Sequence, residues 1–65
     1  MYVIVNGEIK QLPESQTLAA LLLSLSPAVP FAVARNGEFV ARATYEETPV
    51  RSGDQIDIVH PAAGG

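Results

Sequence analysis

The sequence predicts an α+β fold in which a four- to five-stranded mixed sheet packs against one helix. Two Asn-Gly pairs, at Asn6-Gly7 and Asn36-Gly37, each stand between short runs of apolar or β-branched residues. A leucine-rich stretch with helical spacing separates these hairpin signals, and the last apolar segment, QIDIVH, alternates as a strand does. The 65 residues suffice for one small domain.

The two Asn-Gly pairs predict tight β-hairpins. Asn and Gly both accept the positive φ angles of a type I′ turn, which joins antiparallel strands through two residues. The first hairpin is expected within YVIVNGEIKQL and the second within FAVARNGEFVA. The sequences that flank the two turns differ, so we interpret them as shared turn chemistry rather than as an internal repeat.

A short amphipathic helix is predicted between the hairpins. Its apolar stripe has the i, i+3, i+4, i+7 spacing and consists of Leu18, Leu21, Leu22 and Leu25. Ser15 or Thr17 is expected to cap the first turn, and Pro27 with Pro30 should end the helix near Leu25. A helix this short does not persist alone in water, so its stripe must pack on the sheet.

A loop, a turn and a final strand are predicted after the second hairpin. The stretch ARATYEETPV lacks periodicity, and we expect Tyr45 to fold back from this loop as an apolar plug. Asp54 beside Gly53 is more typical of a tight turn than of a general base. In the strand that follows, Ile56 and Ile58 are spaced to face the core.

The end of the sequence predicts a tail. Pro61 cannot donate to a strand ladder, so pairing should stop there. We therefore expect a domain over residues 1–60 and a flexible tail over residues 61–65. Terminal Gly-Gly is more often a frayed end than a functional element when composition alone is considered.

The sheet face away from the helix is predicted to be open. Small or apolar residues that alternate away from the core would make it an apolar surface suited to a partner, and the candidates are Ala32, Ala34 and Val59. The alternative is a scatter of surface alanines and valines without function, which is common on soluble proteins.

Composition argues against several classes of function. No cysteine is present, which excludes disulfides, thiolate metal ligands and a cysteine nucleophile. The net charge of −3 has the wrong sign for nucleic-acid binding and favours a partner with a basic surface. The longest apolar run, LAALLL, is far too short to span a membrane. We expect a soluble, cytoplasmic protein with no nucleic-acid or membrane partner.

Few residues could support catalysis. His60 is the only histidine, so a metal site or a Ser-His-Asp set is disfavoured, and a surface position at a strand end is the expected role. The carboxylates fall mainly in predicted turns and loops, where solvation explains them. A stand-alone enzyme is therefore disfavoured, and no cofactor or metal is expected to bind this chain.

The layout, together with VNGE, ARNGEFV, SGDQIDIVHP and the closing AAGG, resembles the ThiS family of ubiquitin-like β-grasp sulfur carriers of thiamine biosynthesis. The resemblance covers essentially the whole chain. Its specificity lies in the combination of the middle NGEFV, the Gly-Asp turn before the last strand and the terminal Gly-Gly at this length. In the tail, PAA stands where the family pattern has an aliphatic residue followed by small ones.

The resemblance implies a chemistry for the tail. An E1-like, ThiF-like adenylating enzyme uses ATP and Mg²⁺ to activate the carboxylate of Gly65, and sulfur from a donor such as a cysteine desulfurase then gives a thiocarboxylate. A ThiG-like thiazole synthase receives that sulfur. Gly64, Ala63 and Ala62 would lie in a narrow channel of the partner, where a larger side chain would clash.

Three alternatives remain open from the sequence. The same chemistry would serve a molybdopterin synthase small subunit or a carrier for tRNA thiolation, which share the fold and the Gly-Gly end. A plain β-grasp adaptor would carry Gly-Gly incidentally and tolerate its replacement. A ubiquitin-like modifier would use the same tail to form isopeptide bonds with lysines.

Overall fold

The computed structural model describes residues 1–61. In chain order its elements are β1 (Tyr2–Val5), β2 (Glu8–Gln11), β3 (Gln16–Thr17), α1 (Leu18–Leu25), β4 (Ala32–Arg35), β5 (Glu38–Val40), a 3₁₀ helix (Arg42–Glu47), β6 (Pro49–Val50) and β7 (Gln55–Val59). The order of elements confirms the predicted α+β plan.

Five of the strands form one mixed sheet in the order β2-β1-β7-β4-β5. The first and last strands, β1 and β7, run parallel, with Ile4 opposite Gln55, and the other neighbours are antiparallel. The stretch predicted as a loop after the second hairpin contains the 3₁₀ helix and β6, which pairs with β3 in a separate two-stranded sheet. Strands of two residues are too short to show periodicity, so no sequence pattern predicts this small sheet.

Both predicted hairpin turns are confirmed. Asn6 and Gly7 have φ angles of 48° and 83°, and Asn36 and Gly37 have φ angles of 51° and 87°. All four values lie in the left-handed region that a type I′ turn requires at its two central residues. The turns fix the register of β1 on β2 and of β4 on β5.

The helix α1 begins and ends where the sequence predicts. Of the two candidate caps, Thr17 fulfils the role, because its Oγ1 accepts a hydrogen bond from the backbone N–H of Ala20 at 3.2 Å. At the other end Ser26 adopts a left-handed conformation, and its N–H donates to the carbonyl of Leu22 at 2.8 Å. Leu23, which lies outside the apolar stripe, is 84% exposed.

The core lies between α1 and one face of the five-stranded sheet. Its buried members are Val3, Val5, Leu18, Leu21, Leu22, Val33, Val50, Ile56 and Ile58. Tyr45 packs against this cluster from the 3₁₀ helix, which confirms its predicted role as an apolar plug. Since α1 covers only one face, no helix or strand of residues 1–61 covers the opposite face of the sheet.

Among residues 1–61 no helix combines the length and the apolar character needed to cross a bilayer. The helix α1, with 8 residues, is well below that length.

Candidate functional site

The last strand, β7, precedes the predicted tail and lies at the centre of the sheet. Asn6, in the first hairpin turn, contacts β7 through its side chain as well as its backbone. Its side-chain Oδ1 accepts a hydrogen bond from the N–H of Ile58 at 2.7 Å, and its Nδ2 donates to the carbonyl oxygen of Ile58 at 3.3 Å. Its backbone N–H donates to the carbonyl oxygen of Ile56 at 2.9 Å. The turn residue therefore fixes the strand that leads into the tail.

The second hairpin turn holds the start of the same strand. The side-chain Oδ1 of Asn36 accepts from the N–H of Gln55 at 2.9 Å, and its backbone N–H donates to the carbonyl of Gln55 at 2.8 Å. From the sequence, Asn6 and Asn36 are predicted to have only a turn role. Asn-Gly-Glu occurs at both turns, and this recurrence is the one sign of a shared role in the sequence. The preference of Asn-Gly for tight turns explains it fully, so the contacts with β7 cannot be inferred without the strand pairing.

Asp54 joins three segments at the beginning of β7. Its side chain is buried, and its carboxylate accepts hydrogen bonds from Arg51 N at 2.8 Å, Arg35 Nε at 2.9 Å and Asn36 Nδ2 at 3.0 Å. The predicted turn role is confirmed, since its own N–H donates to the carbonyl of Arg51 at 3.0 Å. The ion pair with Arg35 was not foreseen, because it depends on the pairing of β4 with β7.

The electrostatics of Asp54 follow from these contacts. Burial by itself raises the pKa of the carboxyl, but the hydrogen bonds from Arg51, Asn36 and Arg35, with the positive charge of Arg35, lower the pKa below its ordinary value. The group is ionised at neutral pH, and its oxygens are occupied by donors. This arrangement is typical of a structural carboxylate rather than of a general base.

The chain leaves the sheet at His60, just after the last paired residue. The Nε2–H of His60 donates to the carbonyl oxygen of Ala28 at 2.8 Å. The imidazole ring also meets the ring of Phe31 in an edge-on arrangement, with centroids 6.5 Å apart. Both partners belong to the segment between α1 and β4. The predicted surface position at a strand end is confirmed, since His60 is exposed, and these two contacts are made from that position.

The predicted reactive end and channel residues are Gly65, Gly64, Ala63 and Ala62, and they lie outside the described residues. Their roles stay predictions, as does the division into a domain over residues 1–60 and a tail over residues 61–65. The structure describes the tail only as far as Pro61.

The predicted partner residues share the uncovered face of the sheet. Ala32 and Val59 are directly opposite each other in the β4–β7 pair and are both exposed. Ala34 is the next residue of β4 on that face, but it is only 9% exposed and contributes little surface. Phe39 lies opposite Ala34 and is 73% exposed, which makes it the largest apolar group of this region.

Phe39 was not among the predicted partner residues, although the same alternation of side chains that selected the alanines would have identified it.

Across the rest of the uncovered face, Ile4 and Ile9 form an opposed pair on β1 and β2. Asp57 follows between the two apolar regions, opposite Ala34. We call the apolar region of Ala32, Ala34, Phe39 and Val59 the tail-side patch, because Val59 immediately precedes His60.

Within residues 1–61, no cluster of three or more His, Asp or Glu side chains has an arrangement that could hold an ion. The candidate site consists instead of the predicted tail, His60 at the end of β7 and the tail-side patch.

Comparison with known proteins decides the family. The model of the ThiS family matches residues 3–65. The chain belongs to the ThiS family. The match includes the glycine pair at Gly64 and Gly65 as well as the described strands.

Two solved structures of ThiS-type proteins confirm the β-grasp fold. The crystal structure of a thiamine biosynthesis protein (ThiS) from Geobacter metallireducens has a TM-score of 0.88 and 30% identity, with all of both chains covered. The solution structure of a thiamine biosynthesis protein from the same organism has a TM-score of 0.80 and 30% identity, covering 100% of this chain and 88% of that one.

A curated relative has a different size. A thiazole synthase from Paramagnetospirillum magneticum is 36% identical over 66 residues, which include 100% of this chain. The chain spans about a fifth of the length of that relative, since it covers 20% of it. A segment similar to this chain is thus part of a much longer polypeptide in that organism.

Proposed function

We propose that this protein is a sulfur carrier of thiamine biosynthesis, and that its reactive group is the carboxylate of Gly65. The observation that carries the proposal is the ThiS family match, which extends over residues 3–65 and so includes the Gly-Gly end. In this role the chain is a co-substrate of other enzymes and binds no cofactor of its own. ATP and Mg²⁺ are bound by the activating partner.

The chemistry requires two transfers at one carboxylate. An oxygen of the Gly65 carboxylate attacks the α-phosphate of ATP, so that pyrophosphate leaves and an acyl adenylate forms. Sulfide, HS⁻, then attacks the acyl carbon and displaces AMP, which leaves a thiocarboxylate and releases a proton. Sulfur that a desulfurase delivers as a persulfide first forms an acyl disulfide, and a thiol must then reduce its S–S bond to release the thiocarboxylate. An α-carboxyl group has an ordinary pKa of about 3.3–3.7, so the nucleophile is ionised at neutral pH without help from the protein.

The tail has the length and the side chains for delivery into a buried site. At about 3.3–3.6 Å per residue, a fully extended segment as long as residues 61–65 spans roughly 17 Å. The absence of Cβ atoms at Gly64 and Gly65 suits a channel that fits closely around a backbone. The carrier body would then remain outside while the carboxylate reaches the partner's active site.

The tail-side patch is the proposed docking surface for the activating enzyme. It presents the side chains of Phe39 and Val59 beside the strand that becomes the tail. Burial of such apolar groups offsets the conformational entropy that the tail loses in a channel, about 1–2 kcal/mol for each residue fixed. The net charge of −3 favours a partner with a basic rim around that surface.

The proposed partners follow from the chemistry and from the relative. A ThiF-like enzyme of the E1 type would adenylate the tail, and a donor such as a cysteine desulfurase would supply sulfur. A ThiG-like thiazole synthase would accept it, which the similarity to a segment of a thiazole synthase supports. The proposal locates the carrier with these enzymes in the cytoplasm.

Adenylation of tail variants tests the reactive group. We expect deletion of Gly65, or one alanine appended after it, to abolish pyrophosphate release by the host's activating enzyme. Ala62→Gly is the matched control, because it changes the tail without moving the carboxylate. Normal adenylation of the extended chain would contradict the proposal and favour an adaptor.

A second pair of variants tests the docking surface. Phe39→Ser should raise the KM for the carrier, because it removes the largest apolar group of the tail-side patch. Leu23→Ser is the matched control on the opposite side of the molecule, since Leu23 is also highly exposed. Equal effects of the two substitutions would refute this assignment of the surface.

The sulfur acceptor is tested by growth. A deletion strain that is rescued by thiamine or its thiazole supports the proposed pathway. A molybdoenzyme defect or a tRNA thiolation defect without thiazole dependence would assign the carrier to one of those acceptors instead. Higher-mass conjugates on a denaturing gel would indicate a modifier.

A further inference from the structure

We propose that His60 is a positioning residue for the C-terminal tail, a role that rests on the proposed function. Its hydrogen bond to Ala28 and its contact with Phe31 anchor the chain at the point where β7 ends. This anchor gives the tail a fixed starting position relative to the tail-side patch. His60 acts through the tail backbone and takes no part in the reaction.

The need for such an anchor follows from the sheet. The last residue pair of the β4–β7 ladder is Ala32 with Val59, so strand pairing places the chain only up to Val59. His60 is the next residue, and its side chain reaches the segment between α1 and β4. The contact with Ala28 therefore extends the restraint one residue beyond the ladder.

Local backbone preferences act in the same direction. Proline disfavours the helical region for the residue before it, so His60, which precedes Pro61, favours an extended conformation. The ring of Pro61 then fixes its own φ near −65°. With the His60 side chain held at Ala28, the direction of the chain at Pro61 is set by three independent restraints.

The hydrogen bond has a defined donor. A carbonyl oxygen only accepts, so Nε2 of His60 must carry the hydrogen that it shares with Ala28. Glutamine can place an amide N–H at a similar distance from its backbone, whereas methionine has a similar length and no donor. His60→Gln and His60→Met therefore form a matched pair that differs in this bond.

A fixed starting point affects binding more than chemistry. The tail must enter its partner from one position, and restraint in the free carrier removes part of the ordering that binding would otherwise require. The same advantage applies to the ground state and to the transition state, so it changes KM and leaves kcat unaltered. Loss of one exposed hydrogen bond is expected to raise KM by about threefold to tenfold.

The test measures adenylation of the two variants by the host's activating enzyme, with pyrophosphate release recorded at varied carrier concentration. We expect His60→Met to raise KM about threefold to tenfold at unchanged kcat. We expect His60→Gln to stay within about twofold of the wild type. In parallel, ¹⁵N order parameters at the Ala28 and His60 amides should fall in the methionine variant only.

Each other outcome overturns the proposal in a distinguishable way. Equal KM values for wild type and His60→Met would refute the positioning role alone. A fall in kcat with both variants would assign His60 to the chemistry, and a raised KM with unchanged order parameters would assign it to direct partner contact. Failure of the wild type to be adenylated would instead remove the proposed function, and the positioning role with it.

Discussion

Replacing Asp54 by asparagine tests the network that begins the last strand. Its carboxylate accepts hydrogen bonds from Arg51 N, Arg35 Nε and Asn36 Nδ2 at 2.8–3.0 Å. Hydrogen bonds to a charged group contribute about 1.5–3 kcal/mol each. An asparagine amide keeps one acceptor oxygen, but its NH₂ group must face at least one of these donors. We expect the free energy of unfolding to fall by about 2–3 kcal/mol.

Thermal and urea unfolding followed by circular dichroism measure this change. For a domain of this size, about 2–3 kcal/mol corresponds to a decrease in Tm of roughly 10–20 °C. Asp57→Asn is the matched control on the same strand, because within residues 1–61 the Asp57 carboxylate has only one hydrogen bond, from Gln55 Nε2 at 3.5 Å. That substitution should alter the free energy of unfolding by less than about 0.5 kcal/mol.

The effect of Asp54→Asn should also depend on pH. The pKa of Asp54 is lowered in the folded state, so its stabilisation is fully present above the unfolded pKa of about 3.9 and is lost as pH falls through the folded pKa. The difference between wild type and variant should therefore shrink only in acid. A variant as stable as the wild type at pH 7, or a difference that does not shrink in acid, would refute the reasoning.

Three further predictions concern the framework. Leu21→Ala should lower the free energy of unfolding by about 2–5 kcal/mol, because Leu21 is buried. Leu23→Ala should lower it by less than about 0.5 kcal/mol, because Leu23 is exposed. Equal losses of the two variants in urea unfolding would contradict this packing. Ser26→Gly should raise stability by about 0.5–1 kcal/mol because the φ of Ser26 is 51°, and a lower Tm would count against this. Asn6→Gly keeps a residue suited to positive φ but removes both side-chain hydrogen bonds to Ile58. Hydrogen exchange of the Ile58 amide should therefore accelerate, and unchanged exchange would show that these bonds do not hold β7.

The two hairpin turns and the helix could be predicted from the sequence, because short local patterns determine them. The Asn-Gly pairs specify type I′ turns because few residues accept two consecutive positive φ angles, and the leucine spacing specifies one buried helix face. The parallel pairing of β1 with β7 joins residues more than fifty positions apart in sequence, such as Ile4 and Gln55. No local pattern encodes that neighbour relation.

The features of the candidate site that depend on residue type could be predicted from the sequence. Those that depend on which segments meet in the folded chain could not. The glycine pair and the alternation of Ala32 and Val59 are visible in the sequence. The contacts of His60 with Ala28 and Phe31 need a loop and a strand end that meet only after folding. A single histidine in a sequence gives no indication of such an anchor.

The central claim is that Gly65 carries sulfur, and intact mass spectrometry tests it most directly. The purified chain would be incubated with the host's adenylating enzyme, ATP, Mg²⁺ and a sulfide source, with the chain lacking Gly65 as the control. We predict a mass gain equal to the exchange of one oxygen for sulfur, localised to Gly65 by fragmentation and absent from the control. An unchanged mass with an activating enzyme that adenylates another carrier would contradict the account.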